Sequence, residues 1–288
     1  MPARRRVRRV MGAAFFRRTG DHYEPLHLAE SMWGRGQLHG VAVGGLLARA
    51  VEEAVAEAGR AELVPARFHV DLFRPATMLP TYASATIVRT SRRLALVDAQ
   101  VVQDGSPVAR ATASFLLPTE APTGKVWSGA DRATVPPPSV VPESDEPRVP
   151  YFASRNGWSD NFGEHQNDGR HTVWHTGVPM VVGERPTPFQ AVASIGDTAS
   201  MVTNWGTGGV EYINTDYSLA LSRPPAGLEI GLRAVDHVAH DGIAVGTAEV
   251  FDRSGTIGSA TVTALGNARR AVDFGHDSGE SHAGNPGA

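Results

Sequence analysis

The sequence contains no cysteine among its 288 residues. This absence excludes disulfide bonds, thiol nucleophiles and cysteine-ligated metal sites, and it is typical of a reducing compartment, so we expect a cytoplasmic location. The chain also lacks an apolar run of the roughly 18 residues that a membrane-spanning helix needs, so stable membrane insertion is not expected. Charges nearly balance at a net −3, which gives no reason to expect a nucleic acid partner.

Proline is concentrated between residues 118 and 150. Because proline cannot donate a ladder hydrogen bond and favours an extended path, the pattern predicts a linker at 119–150. The linker separates an N-terminal domain at 22–118 from a C-terminal domain at 151–269. The basic segment 1–21 and the tail 270–288 are expected to lie outside both domains. The basic N-terminus has two interpretations, a presequence or a true translation start at Met11.

The two domains repeat one pattern, a helix rich in small residues followed by a run of strands. Apolar residues at helical spacing predict the first helix at 39–58, and Thr187 is the predicted cap of a second helix reaching residue 202. Alternating patterns predict the strands, at 65–74, 80–90, 94–104 and 107–117, then at 151–155, 171–182, 210–222, 228–238, 242–252 and 256–267. The repeat predicts an α+β fold in which each of two antiparallel sheets wraps its own central helix.

The second helix carries one acid, Asp197, in an otherwise apolar stretch, and the first helix has no acid at the matching depth. Burying an unpaired carboxylate is costly, and such groups concentrate at functional sites. Asp197 is therefore a candidate catalytic group, the alternative being a structural acid hydrogen-bonded to the sheet.

Several segments between about residues 30 and 270 resemble the double-hotdog acyl-CoA thioesterases, namely the acyl-CoA thioesterase II family and its actinobacterial thioesterase-like relatives. The segments that carry the resemblance occur in a characteristic order: the His39-Gly40 helix start, RFHVDLFRP (67–75), RRLALVDAQVVQDG (92–105), IGDTAS (195–200), NTDYSL (214–219) and SATVT (259–263). The resemblance implies a tandem hotdog fold, hydrolysis of fatty acyl-CoA to fatty acid and CoA in lipid metabolism, no cofactor or metal, and a homodimer.

In that family a helix aspartate acts with a strand hydroxyl and a carboxamide to hold and activate the attacking water. The resemblance places Asp197 at the aspartate, Asn214 at the hydroxyl position and Thr263 at the carboxamide position, so the last two types are exchanged. A one-residue shift in register would replace Asn214 by Thr215, which we retain as a reserve candidate. The acyl chain is expected along the second helix, in a slot lined by residues such as Val192, Ile195 and Met201.

Thioester hydrolysis builds negative charge on the carbonyl oxygen, and free amides at a helix start can stabilise that charge. Gly40 and Val41 are the candidates for this oxyanion role, with His39 near the thioester. Helical glycines each cost about 1 kcal/mol relative to alanine, so Gly40 needs a reason such as close approach of a ligand or another backbone. The alternatives are tight packing of Gly40 against the second domain and a solvated loop role for His39.

Two other functions remain as alternatives. One is an acyl-CoA or lipid-binding protein without catalysis, which the two exchanged residues favour. The other is a hotdog enoyl-CoA hydratase, which needs an aspartate and a histidine a few residues apart. No histidine follows Asp197 until His237, so the hydratase is disfavoured. His171, His175, His237 and His240 also lack the spacing of a metal site.

Overall fold

The computed structural model describes residues 12–275. The N-terminal half begins with a hairpin of β1 (Phe16–Thr19) and β2 (His22–Pro25), followed by a short 3-10 helix at His27–Ala29. Its main elements follow in chain order: α1 (Gly40–Glu57), β3 (Val64–Asp71), β4 (Tyr82–Ser91), β5 (Leu94–Gln103) and β6 (Ser106–Leu116).

The C-terminal half begins with β7 (Tyr151–Ser154), β8 (Gly157–Ser159), a 3-10 helix at Phe162–His165 and β9 (Thr172–Thr176). Two helices follow, α2 (Pro188–Gly196) and α3 (Ala199–Asn204), and then a short hairpin of β10 (Trp205–Gly206) and β11 (Gly209–Val210). The remaining strands are β12 (Tyr212–Asn214), β13 (Asp216–Leu221), β14 (Glu229–His240), β15 (Ile243–Asp252) and β16 (Gly255–Gly266), before a last 3-10 turn at Ala268–Arg270.

The long strands form one continuous antiparallel sheet of twelve strands, in place of the two separate sheets predicted. Its order is β4-β5-β6-β3-β13-β16-β15-β14-β9-β7-β8, with β12 also paired to β16. The predicted repeat is visible in this order, because β4-β5-β6-β3 is mirrored by β14-β15-β16-β13. The two halves join where β3 pairs with β13, so backbone hydrogen bonds across that edge merge the sheets.

The helices lie on one face of this sheet and on each other. α1 packs over β4, β5 and β6, α3 packs over β14, β15 and β16, and α1 packs against α2. Glycines allow the close contacts at the crossing. A Cβ on Gly44 would lie 1.9 Å from the hydroxyl of Tyr217, and one on Gly45 would lie 2.0 Å from Sδ of Met180. The first turns of α1 are therefore packed closely against the C-terminal half of the chain.

The second helix is interrupted, whereas the sequence predicts one helix from 187 to 202. Asp197 and Thr198 keep helical backbone angles but stand between α2 and α3. Thr198 N donates to Ile195 O at 2.8 Å and Ser200 N donates to Asp197 O at 3.1 Å. Hydrogen bonds spanning three residues are tighter than those of an α-helix, so the junction is a 3-10-like turn. Asp197 thus occupies a turn at the end of α2.

A polar network joins the last turns of α1 to the start of α2. Arg49 donates to both carboxylate oxygens of Glu184, at 2.8 and 2.9 Å, and to Glu53 at 2.8 Å. Glu52 accepts from Thr187 Oγ1 at 2.8 Å and from Gln190 at 2.9 Å. Because these partners come from both halves, the network holds the start of α2 against the last turns of α1.

Buried side chains also occur in the segments predicted to flank the domains. Residues 1–11 and 276–288 lie outside the described residues, but Phe16 within the predicted N-terminal segment and Phe274 within the predicted tail are buried. Both rings belong to the main hydrophobic core. The linker contacts the C-terminal half as well: Val141 is buried against Trp174 and Phe251, and Ala133 N donates to Glu249 at 2.9 Å.

Candidate active site

The carboxylate of Asp197 lies directly on the first residue of α1. A Cβ built on Gly40 would stand 2.3 Å from Oδ1 and 2.6 Å from Oδ2 of Asp197. Real Cβ atoms do not approach other atoms so closely, so only glycine fits at position 40 while the carboxylate stays in place. This close approach accounts for a glycine at the start of α1.

Two donors hold the part-buried carboxylate. Asn214 Nδ2 donates to Oδ1 of Asp197 at 2.9 Å, and the backbone N–H of Val41 donates to the same carboxylate. Burial raises the pKa of Asp197 from 3.8 to about 6, although both hydrogen bonds act in the opposite direction by favouring the charged form. The group is therefore mostly ionised at neutral pH and more basic than an ordinary aspartate, as a general base requires.

The two amides predicted to stabilise an oxyanion differ in whether they already have a hydrogen-bond acceptor. The N–H of Val41 is occupied by Asp197. The N–H of Gly40, the first residue of α1, has no protein acceptor within residues 12–275. An unpaired amide at a helix N-terminus is suited to negative charge, so Gly40 is the available donor of the pair.

His39 is the N-cap of α1, and its ring is fully engaged. Nδ1 accepts from Ala42 N at 2.9 Å, so Nε2 carries the proton and donates to Leu28 O at 2.9 Å. Burial lowers the pKa of His39, which keeps the ring neutral. His39 therefore directly precedes Gly40, and both of its ring nitrogens are used to hold the helix start.

Asn214 and Thr263 are not brought together, because a β-bulge separates them. Asn214 pairs with Ala264 and Ser218 pairs with Thr261. The first strand therefore advances four residues, 214 to 218, while its partner advances three, 264 to 261. The bulge turns Asn214 inward, whereas Thr263 lies on the exposed face and its amide donates to Asp216 Oδ1 at 3.3 Å. Asn214 and Asp216 therefore do not share a face, contrary to simple strand alternation.

The strand position next to Asn214 has no polar side chain. The residue paired with Asn214 is Ala264, which is buried. The reserve candidate Thr215 is held by the bulge, with Oγ1 donating to Asp216 at 3.0 Å and N donating to Thr263 O at 2.9 Å. Neither threonine contacts Asp197, so the geometry reduces the predicted triad to Asp197 and Asn214.

Tyr217 is a site neighbour that sequence reasoning missed. Its side chain is completely buried beside Gly44, and its hydroxyl donates to Ala193 O at 2.8 Å. Burial and the nearby charge of Asp197 raise its pKa well above 10, so the phenol stays protonated. Its place in the alternating pattern of β13 marks it as a core residue, and only the missing side chain at Gly44 points to its contact with α1.

Residues 12–275 contain no group of three or more metal-ligating side chains close enough to hold an ion. No helix in the same part of the chain is both long and apolar enough to cross a membrane.

Comparisons with known proteins agree with this architecture. Residues 29–116 match the family model of the acyl-CoA thioesterase N-terminal domain, and residues 131–265 match that of the C-terminal domain. The chain belongs to the acyl-CoA thioesterase family. The C-terminal match begins inside the predicted linker, in keeping with the contacts of Ala133 and Val141. No protein in a search of curated sequences matches the chain.

Solved structures with the same fold are distant in sequence. The TesB protein of Mycobacterium avium subspecies paratuberculosis is 15% identical, with a TM-score of 0.60, covering 87% of this chain and 95% of that one. The acyl-CoA thioesterase II TesB2 of Mycobacterium marinum is 16% identical, with a TM-score of 0.56 and coverages of 87% and 93%. A hotdog-fold protein of unknown function from Alicyclobacillus acidocaldarius is 20% identical, with a TM-score of 0.60 and coverages of 88% and 96%.

Proposed function

We propose that this acyl-CoA thioesterase hydrolyses fatty acyl-CoA with Asp197 as general base. The observation that carries the proposal is the close approach of a carboxylate of raised pKa to Gly40, the helix-start residue of the other half of the chain, whose own N–H has no protein acceptor within residues 12–275. A base and an oxyanion donor side by side are the two groups that thioester hydrolysis by water requires.

In this mechanism a water molecule held by Asp197 attacks the thioester carbonyl carbon, and the carboxylate takes one of its protons. Negative charge then develops on the carbonyl oxygen, which the N–H of Gly40 stabilises. Collapse of the tetrahedral intermediate breaks the carbon–sulfur bond. The CoA sulfur leaves and receives the proton from Asp197, so that the products are the fatty acid and free CoA. Asn214 orients the carboxylate through its hydrogen bond to Oδ1.

The mirrored strand orders support a double hotdog, with one helix-and-four-strand unit in each half. The acyl chain would lie along α2 and α3, whose residues Val192 and Ile195 are buried and whose Met201 is part-buried. We also propose a cytoplasmic homodimer that serves lipid metabolism, in keeping with the family.

The decisive experiment measures thiol release from a series of saturated acyl-CoAs of increasing chain length. We expect turnover by the wild-type protein and a loss of at least a hundredfold in Asp197→Asn, the size of effect that general bases contribute. Asp98→Asn, which changes an exposed acid of β5, is the matched control and should keep full activity. Tight acyl-CoA binding with no thiol release by the wild-type protein would instead identify a non-catalytic acyl-CoA-binding protein.

A further inference from the structure

The oxyanion site described above has one available amide. Val41 donates to Asp197, which leaves Gly40 as the only unpaired N–H at the start of α1. Oxyanion sites act through preorganised donors directed at the developing charge, and each donor contributes strongly to the rate. A second donor in the same interior would therefore complete the site.

His175 lies in that interior. It is on β9, where Val173 belongs to the main hydrophobic core, and alternate residues of a strand share a face. His175 is close enough to His39, the N-cap of α1, for the two rings to interact electrostatically. The chain leaves β9 at Thr176, and the next residue, Gly177, packs against Ala191 of α2. The imidazole therefore faces the same interior as the N-cap of α1 and as α2.

The Nε2 atom of His175 is buried and has no hydrogen-bond partner within residues 12–275. Nearly all buried polar atoms in proteins are paired, so an unpaired one requires an explanation. A group that costs stability in the free protein, and that faces the same interior as the candidate site, is explained if a ligand supplies the missing partner.

The protonation state of His175 suits a donor and not a base. Burial, with a smaller contribution from His39, lowers its pKa to about 4. The ring is therefore neutral at physiological pH and carries one N–H. A neutral imidazole can donate a hydrogen bond to a carbonyl oxygen without adding a buried charge.

We propose that His175 donates a hydrogen bond from Nε2 to the thioester carbonyl oxygen, and so forms an oxyanion site together with the Gly40 amide. The proposal rests on the thioesterase mechanism given above. His175 transfers no proton in any step. Its hydrogen bond to the carbonyl oxygen becomes stronger as negative charge develops there, and becomes weaker again when the intermediate collapses. The base remains Asp197.

The next residue of the strand provides a matched control. Thr176 Oγ1 is also buried without a partner, but strand alternation places Thr176 on the opposite face with Trp174, which packs under the linker. Thr176→Val and His175→Phe therefore both remove an unpaired buried polar group from one strand. Of these two side chains, only that of His175 lies on the strand face that is turned toward the interior with the candidate site.

The experiment measures kcat and KM for thiol release, together with the melting temperature, in both variants. We expect His175→Phe to lower kcat about 100- to 1,000-fold, as loss of one oxyanion donor does, with KM changed much less. Its melting temperature should be equal to or above that of the wild-type protein, because an unpaired polar group is removed. Thr176→Val should keep kcat within about twofold, since it touches no part of the site.

His175→Gln retains an N–H donor and should recover at least tenfold over His175→Phe. Equal rates for these two variants would overturn the proposal, as would wild-type kcat in His175→Phe. If the wild-type protein itself releases no thiol from any acyl-CoA, the thioesterase mechanism fails and this inference fails with it. Wild-type turnover with an unaffected His175→Phe removes the role of His175 alone.

Discussion

Asp197 and Gly40 come from opposite halves of the chain, yet a methyl group on residue 40 would lie 2.3 Å from Oδ1 of Asp197. The carboxylate therefore has its position only because residue 40 has no side chain. The same contact places the acid within reach of the α1 amides, one of which it uses and one of which it leaves unpaired.

Gly40→Ala should displace the carboxylate of Asp197 and lower kcat/KM for acyl-CoA at least tenfold. The protein should still fold, since alanine is the better helix former by about 1 kcal/mol. Steady-state kinetics and circular dichroism measure the two effects. Gly227→Ala is the control, because a Cβ there meets nothing within 4 Å. Normal kinetics in Gly40→Ala would mean that the position of Asp197 is unimportant for the reaction.

The rate should depend on pH through Asp197. With a pKa of about 6, the active carboxylate form is lost as the pH falls, so kcat/KM should drop tenfold per unit below that value and level off above it. A pH–rate profile with a stable short-chain acyl-CoA measures the midpoint. A flat profile between pH 5 and pH 8, which brackets the expected midpoint of about 6, would exclude Asp197 as the base.

Asp197→Asn should be more stable than the wild-type protein at neutral pH. The folded-state pKa is raised from 3.8 to about 6, so the native protein binds this proton more tightly than the unfolded chain does. That contribution to stability is fully present below pH 3.8 and is lost as the pH rises through 6. The variant should thus gain about 1–3 kcal/mol above pH 6 and little below pH 4. Urea unfolding at pH 4 and pH 7.5 tests the difference.

Asn214→Ala should raise the pKa of Asp197, because the lost hydrogen bond favours the charged form. The midpoint of the pH–rate profile should therefore move upward and the plateau rate should fall. Thr263→Val, on the exposed face of β16, should leave both unchanged. The reverse result, with Thr263 sensitive and Asn214 neutral, would show that the bulge at Thr215 does not set the register of the working enzyme.

Much of the architecture could be predicted from hydrophobic patterns, which report local periodicity. The repeated helix and four strands are found in the structure, and Gly40, for which a ligand or another backbone was the expected neighbour, is approached by the Asp197 side chain. The bulge at Thr215 could not be predicted, because one extra residue in a strand leaves the alternation on either side intact. The joining of two sheets through β3 and β13 also has no local signal, since it depends on edges far apart in sequence.

The oxyanion role of the Gly40 and Val41 amides stays a prediction, and the structure adds a feature that the sequence does not show. Sequence shows that Gly40 and Val41 begin a helix, but not that Asp197 itself takes one of the amides. In the same way, the spacing of His175 from the other histidines does not indicate a metal site, and the sequence gives no other reason to assign the residue a function. An unpaired nitrogen becomes visible only when every neighbour is known.

The two halves mirror each other in strand order, but they differ at the ninth residue after each helix start. The ninth residue after Gly40 is Arg49, as Asp197 is the ninth after Pro188, and Pro188 has no N–H to offer an oxygen. Where the C-terminal half has an acid, the N-terminal half has a guanidinium that donates to both carboxylate oxygens of Glu184. Matched positions thus bind the two halves together in one case and carry the proposed base in the other, and the proposed site draws its acid and its amide from different halves.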